Sequence, residues 1–121
     1  MGPVLPDDGP DEALLAVFRA LGASARESNL ARTRLLEDAL TALGAGTLSV
    51  ELRERAVSAA HQVVGSAGTF GKRRSSALAG ELEQWFREVP LPGPDPRGLG
   101  WARDRLGDLR ADLTSDHQDD V

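Results

Sequence analysis

Cysteine and tyrosine are absent from the chain, and only two tryptophans and three phenylalanines stand among its 121 residues. Without a thiol, a disulfide framework and a thiolate metal cage are both excluded. Basic runs are scarce: none exceeds Lys72-Arg73-Arg74, and 14 lysines and arginines against 19 acidic residues leave a net charge of −5. Affinity for nucleic acid comes mostly from neutralising phosphates, so the expected partner is a protein and not a nucleic acid. No apolar run approaches the roughly 18 residues that a membrane-spanning helix needs. The leading MGPVLPDDGP has neither a basic stretch nor an apolar one, so no membrane targeting and a cytoplasmic location are expected.

Proline is missing from residues 11–89. All seven fall in two clusters, Pro3, Pro6 and Pro10 at the start and Pro90, Pro92, Pro94 and Pro96 late, so long helices can run between them. What is present there is helical periodicity. In DEALLAVFRALG, Leu14, Leu15, Phe18 and Leu21 recur at spacings of three and four, with carboxylates in the first turn and Gly22 after the last, which predicts a short leading helix. Ser24, with Glu27 three residues on, reads as the capping box of a second helix that carries Leu30, Leu36, Leu40 and Leu43 and stops near Gly44 and Gly46. A third is predicted from Ser49, with Leu52, Ala56, Ala59, Ala60, Val63 and Ala67 inward, ending between Gly68 and Gly71. A fourth carries Leu78, Leu82, Trp85, Phe86 and Val89. After the linker PLPGPDPRG, a last stripe runs through Leu99, Ala102, Leu106, Leu109 and Leu113.

Strand signals and fixed-period repeats are absent. Amphipathic helices joined by short turns bury their stripes against one another, so the expected fold is all-α: an up-and-down four-helix bundle with a short additional N-terminal helix. One domain over residues 11–113 is expected, between disordered segments at 1–10 and 114–121, and as a monomer.

Two histidines are candidates for chemistry. His117 lies among Asp116, Asp119 and Asp120 in the tail and reads as a solvated side chain. His61 lies mid-helix, and at about 100° per residue it shares a face with Glu54, Ser58, Gly65 and Gly68. The inward set centres elsewhere, so the imidazole should point outward over a glycine floor. Glycine inside a helix costs about 1 kcal/mol relative to alanine; two of them beside a histidine make sense where another molecule approaches the ring.

The segment Ala60-His61-Gln62-Val63-Val64-Gly65-Ser66-Ala67-Gly68-Thr69-Phe70-Gly71, followed by Leu82-Glu83, resembles the signature of histidine-containing phosphotransfer (HPt) domains. These pass phosphoryl groups between response-regulator receiver domains. The resemblance implies a helical bundle over roughly residues 11–113, His61 as phosphoryl acceptor and Glu83 on the next helix as the group that orients it. It implies a docking face at Val57, Ser58, Gln62, Val64, Gly65, Gly68 and Lys72. The partners implied are a receiver domain or a hybrid histidine kinase of a bacterial two-component relay. No cofactor, no resident metal and no kinase activity of its own are expected. The chain departs from the family pattern at Val64, where most members carry lysine. A phosphorylation-independent receiver-docking module is the alternative that this departure favours.

The chemistry follows from the residue types. Neutral imidazole, with an ordinary pKa near 6.5, is a good nucleophile at cytoplasmic pH. Two other motifs fit poorly. Gly65 to Lys72 has five residues between the glycine that opens it and the glycine before the lysine, and Arg73 after the lysine, whereas a nucleotide-binding loop has four and then Ser or Thr. A carboxylate-bridged metal site in a bundle needs Glu three residues before the histidine, and Ser58 stands there. Lys72, Arg73 and Arg74 start eleven residues beyond His61, about 16 Å along a continuous helix.

Overall fold

The computed structural model describes residues 8–91 and 96–115, with side chains from residue 11 and, after the gap, from residue 98. His117 lies outside the described residues, as does most of the disorder expected of residues 1–10 and 114–121; of the rest, 8–10 open α1 and Thr114 closes α4. Four helices run in chain order: α1 Asp8–Gly44, α2 Val50–Thr69, α3 Arg73–Glu88 and α4 Pro96–Thr114. Each packs on two neighbours, α1 and α3 both touching α2 and α4, and among the described residues the backbones of diagonal helices do not approach closely. Short connections between consecutive helices make this an up-and-down four-helix bundle. Among the described residues no strand occurs, and no helix is long and apolar enough to cross a membrane.

The punctuation acts as its chemistry dictates. Ser49 caps α2, its Oγ accepting from the Leu52 amide at 3.0 Å, which satisfies one of the donors a helix start leaves unpaired. Gly46 and Gly71 adopt φ of 73° and 78°. At each, the following amide returns to a carbonyl five residues back, Thr47 to Ala42 and Lys72 to Ala67, both at 2.8 Å. Only glycine takes that left-handed turn cheaply. Pro96 opens α4 at a position where its missing N–H has no intrahelical partner anyway.

The core is built from the expected stripes. Leu36, Leu40 and Leu43 of α1, Ala56, Ala60, Val63 and Ala67 of α2, Leu78, Leu82 and Phe86 of α3, and Ala102, Leu106, Leu109 and Leu113 of α4 are all buried in one cluster. Polar cross-ties join neighbouring helices. Buried Asn29 donates to Ser66 Oγ at 3.2 Å and accepts from Arg32 at 2.7 Å, and buried Ser75 donates to Asp112 at 2.6 Å.

The start of the chain departs from the expectation. The short leading helix and the second helix are one uninterrupted α1 of 37 residues, so Ser24 is an exposed mid-helix residue and caps nothing. Gly22 is flanked by alanines and leucine with no proline near. A single glycine costs about 1 kcal/mol, too little to break a helix whose other residues favour it. Nor is the leading stripe buried: Leu14 is 68 % and Phe18 51 % exposed, with Leu15, Val17 and Leu21 similar. At 1.5 Å per residue, α1 is about 55 Å long and its partners at most about 30 Å, so its first half overhangs the bundle. Phe18 tethers it laterally, its ring 5.0 Å from that of Phe70 at the end of α2.

Candidate functional site

α2 presents its buried alanines and Val63 to the bundle, and 3.6-residue periodicity turns His61 the other way. The imidazole is 71 % exposed. Ser58, Gly65 and Gly68 beside it are exposed too, as the spacing predicts. A methyl group added at Gly65 would meet nothing within 4 Å, and one at Gly68 only Ser76 Oγ at 3.5 Å. This face is therefore bare and flat.

The antiparallel register of α2 on α3 decides what meets the ring. Ser76 donates to the Val64 carbonyl at 2.7 Å, and Gly80 leaves room for the Val64 side chain. One turn further on, Glu83 comes opposite His61, its Oε1 and Oε2 lying 3.3 Å and 3.2 Å from Nδ1. A carboxylate only accepts, so this contact places the proton on Nδ1 and leaves the Nε2 lone pair facing solvent. Glu83 is 15 % exposed and also accepts from Arg87 Nη2 at 2.6 Å, one turn along α3.

Burial alone would raise the Glu83 carboxyl, but the Arg87 and His61 hydrogen bonds and the charges of both outweigh it and hold it below its ordinary value. A depressed carboxylate stabilises the fold above its unfolded-state value, and that contribution is lost as pH falls through the folded one. Acid unfolding of Glu83→Gln followed beside wild type should therefore show the stability gap between them closing as pH drops into the glutamate range. A constant gap would remove this ionic contribution.

The other expected site residues are spread around this centre. Val57 and Val64 are half-buried along the α2–α3 seam and flank the ring. Gln62 turns toward α1, accepting from Arg32 Nε at 2.9 Å. Lys72 is remote: its Nζ donates to the carbonyl and hydroxyl of Ser115 at 3.1 Å each, at the end of the bundle. Sequence reading missed Arg53 and Arg87. Both line a recess beside His61 with Glu54, Val57 and Ser58, and Arg53 is anchored to the Val89 carbonyl at 3.1 Å. The available signal was Arg87 standing four residues after Glu83, one helical turn away. Among the described residues no three His, Asp or Glu side chains converge as metal ligands would.

A family model, that of the Hpt domain, matches residues 14–112. Compared with the curated proteins and with the solved structures, the chain matches none.

Proposed function

Since the chain belongs to the Hpt domain family, we propose that it is a phosphocarrier relaying phosphoryl groups to or from response-regulator receiver domains, with His61 as acceptor and Glu83 as its orienting group. The observation that carries this reading is the solvent-facing imidazole, tied by Nδ1 to Glu83 above a bare glycine floor. In the forward step, Nε2 of His61 attacks the phosphorus of a receiver's aspartyl phosphate. The N–P bond forms as the acyl P–O bond breaks, and the receiver's carboxylate leaves with that electron pair. The Nδ1 proton stays with the ring, where Glu83 offsets the positive charge it gains. Such transfer is mainly positioning and charge stabilisation, so a carrier needs no nucleotide site. Its partners are a receiver domain or a hybrid histidine kinase of a bacterial two-component system, met in the cytoplasm by a monomer.

The docking face runs from Val57 and Ser58 over Val64 to Gly65 and Gly68; Gln62, held by Arg32, and Lys72, held by Ser115, lie off it. Gly65 gives a sharp test, because nothing in the bundle needs it small. Gly65→Ala should raise the unfolding free energy by up to about 1 kcal/mol. Gly65→Leu should fold equally well but transfer about tenfold or more slowly, as small displacements from a reactive geometry do. Unchanged transfer in the leucine variant would move the docking face elsewhere.

Val64 favours a second reading, a receiver-docking module that no longer carries phosphate. The deciding experiment mixes the protein with phosphorylated receivers and looks for acid-labile, base-stable label. A carrier acquires it at His61. A docking module binds the receiver and acquires none.

A further inference from the structure

We propose that the Arg87 guanidinium holds the phosphoryl group on His61, supplying from the α3 side the positive charge that position 64 lacks; this rests on the carrier reading above. Phosphorylation puts a group of nearly two negative charges beside Glu83, a mostly buried carboxylate. That is costly unless a cation shares the site. Four cations were candidates by position, and the structure separates them. Arg32 is bonded to Gln62 and Asn29 on the α1 side, Lys72 to Ser115 at the bundle's end, and Arg53 to the Val89 carbonyl. Arg87 alone of these bonds the same carboxylate oxygen as the imidazole, so guanidinium and ring are no further apart than two hydrogen bonds in series. It is half exposed and lines the recess next to His61.

A guanidinium has five N–H donors in a rigid fork, enough to keep Glu83 on one arm and grip phosphoryl oxygens with the other. Ser58, exposed in the same recess, offers a hydroxyl donor, while Glu54 is the acid that lines it. Register fixes the direction. Arg87 comes level with Val57, one turn toward the start of α2, whereas position 64 lies about one turn toward its end. The phosphoryl group is thus held from the opposite side of the ring, and the partner approaches over Gly65 and Gly68 without displacing the cation.

The test needs no receiver. Phosphoramidate transfers its phosphoryl group to exposed histidines; His61→Gln, treated alike, identifies the contribution of His117. Phosphorus NMR then follows the titration of phospho-His61 in the full chain. A cation within hydrogen-bond reach favours the more charged form, so the midpoint in Arg87→Ala should lie about half a pH unit or more above wild type. Arg87→Lys should fall between, and adding Val64→Lys to Arg87→Ala should bring the midpoint back down. Nitrogen NMR of unphosphorylated Arg87→Ala should still show the Nδ1–H tautomer. Equal midpoints, or a changed tautomer, overturn the proposal, the second by making Arg87 merely a support for Glu83. Failure of phosphoramidate to charge His61 overturns both proposals. A midpoint that shifts as expected in a protein no receiver can label would overturn the relay reading alone.

Discussion

Exchanging His61 for glutamine is expected to abolish acquisition of label from a phosphorylated receiver while leaving thermal unfolding where it was. Glutamine has no nucleophilic nitrogen lone pair, since its amide nitrogen is conjugated with the carbonyl, so the N–P bond has nothing to form on. Its NH2 still reaches toward the Glu83 carboxylate. Because the ring is mostly in solvent, no packing is lost, and stability should stay within about 0.5 kcal/mol of wild type. Receiver binding, followed by calorimetry or fluorescence, should survive as well, because the docking face is Gly65, Gly68 and the flanking valines. Persistence of base-stable label in the variant would mean that the acceptor is elsewhere, and the relay role of His61 would be withdrawn. A variant that keeps its whole cellular function without label would select the docking module.

Phe86→Ala should have the largest effect on the fold. Phe86 is fully buried, packed edge-on against Trp85 with ring centroids 5.1 Å apart, and Trp85 in turn lies 6.4 Å from Trp101 of α4. Truncation removes the largest fully buried side chain and leaves a cavity in a core otherwise made of leucine, valine and alanine. The expected loss is about 3–5 kcal/mol, against a total of roughly 5–15 kcal/mol for a domain of this kind. Urea unfolding should show a lower midpoint at unchanged slope. Since Glu83 and Arg87 flank Phe86 on α3, phosphotransfer should fall steeply too, and recover in part on cooling. A loss below about 1 kcal/mol would mean that the neighbours collapse into the space and that this ring does not anchor the core.

Much of this was legible in the residues because it is local. Periodicity and caps act over a few residues, so Ser49, Gly46 and Gly71 marked helix ends by their own hydrogen bonds, and the stripes of α2, α3 and α4 named the core. The outward direction of His61 follows from the same counting. The misplaced break in α1 shows the limit. Gly22 and a cap at Ser24 are worth about 1 kcal/mol each, less than the helix-favouring residues on both sides supply, and local signals do not show that balance.

By itself, then, the chain's sequence determined an all-helical bundle with one bare-faced histidine, because helix period and end signals need no knowledge of distant residues. The resemblance had named Glu83, but only the tertiary structure decided that Arg87 joins His61 on the Glu83 carboxylate while Lys72 and Gln62 turn away. The reason is register: which side chains meet across α2 and α3 depends on how far the small residues Gly68, Ser76 and Gly80 let one helix slide along the other, and that is settled by packing between positions far apart in the chain.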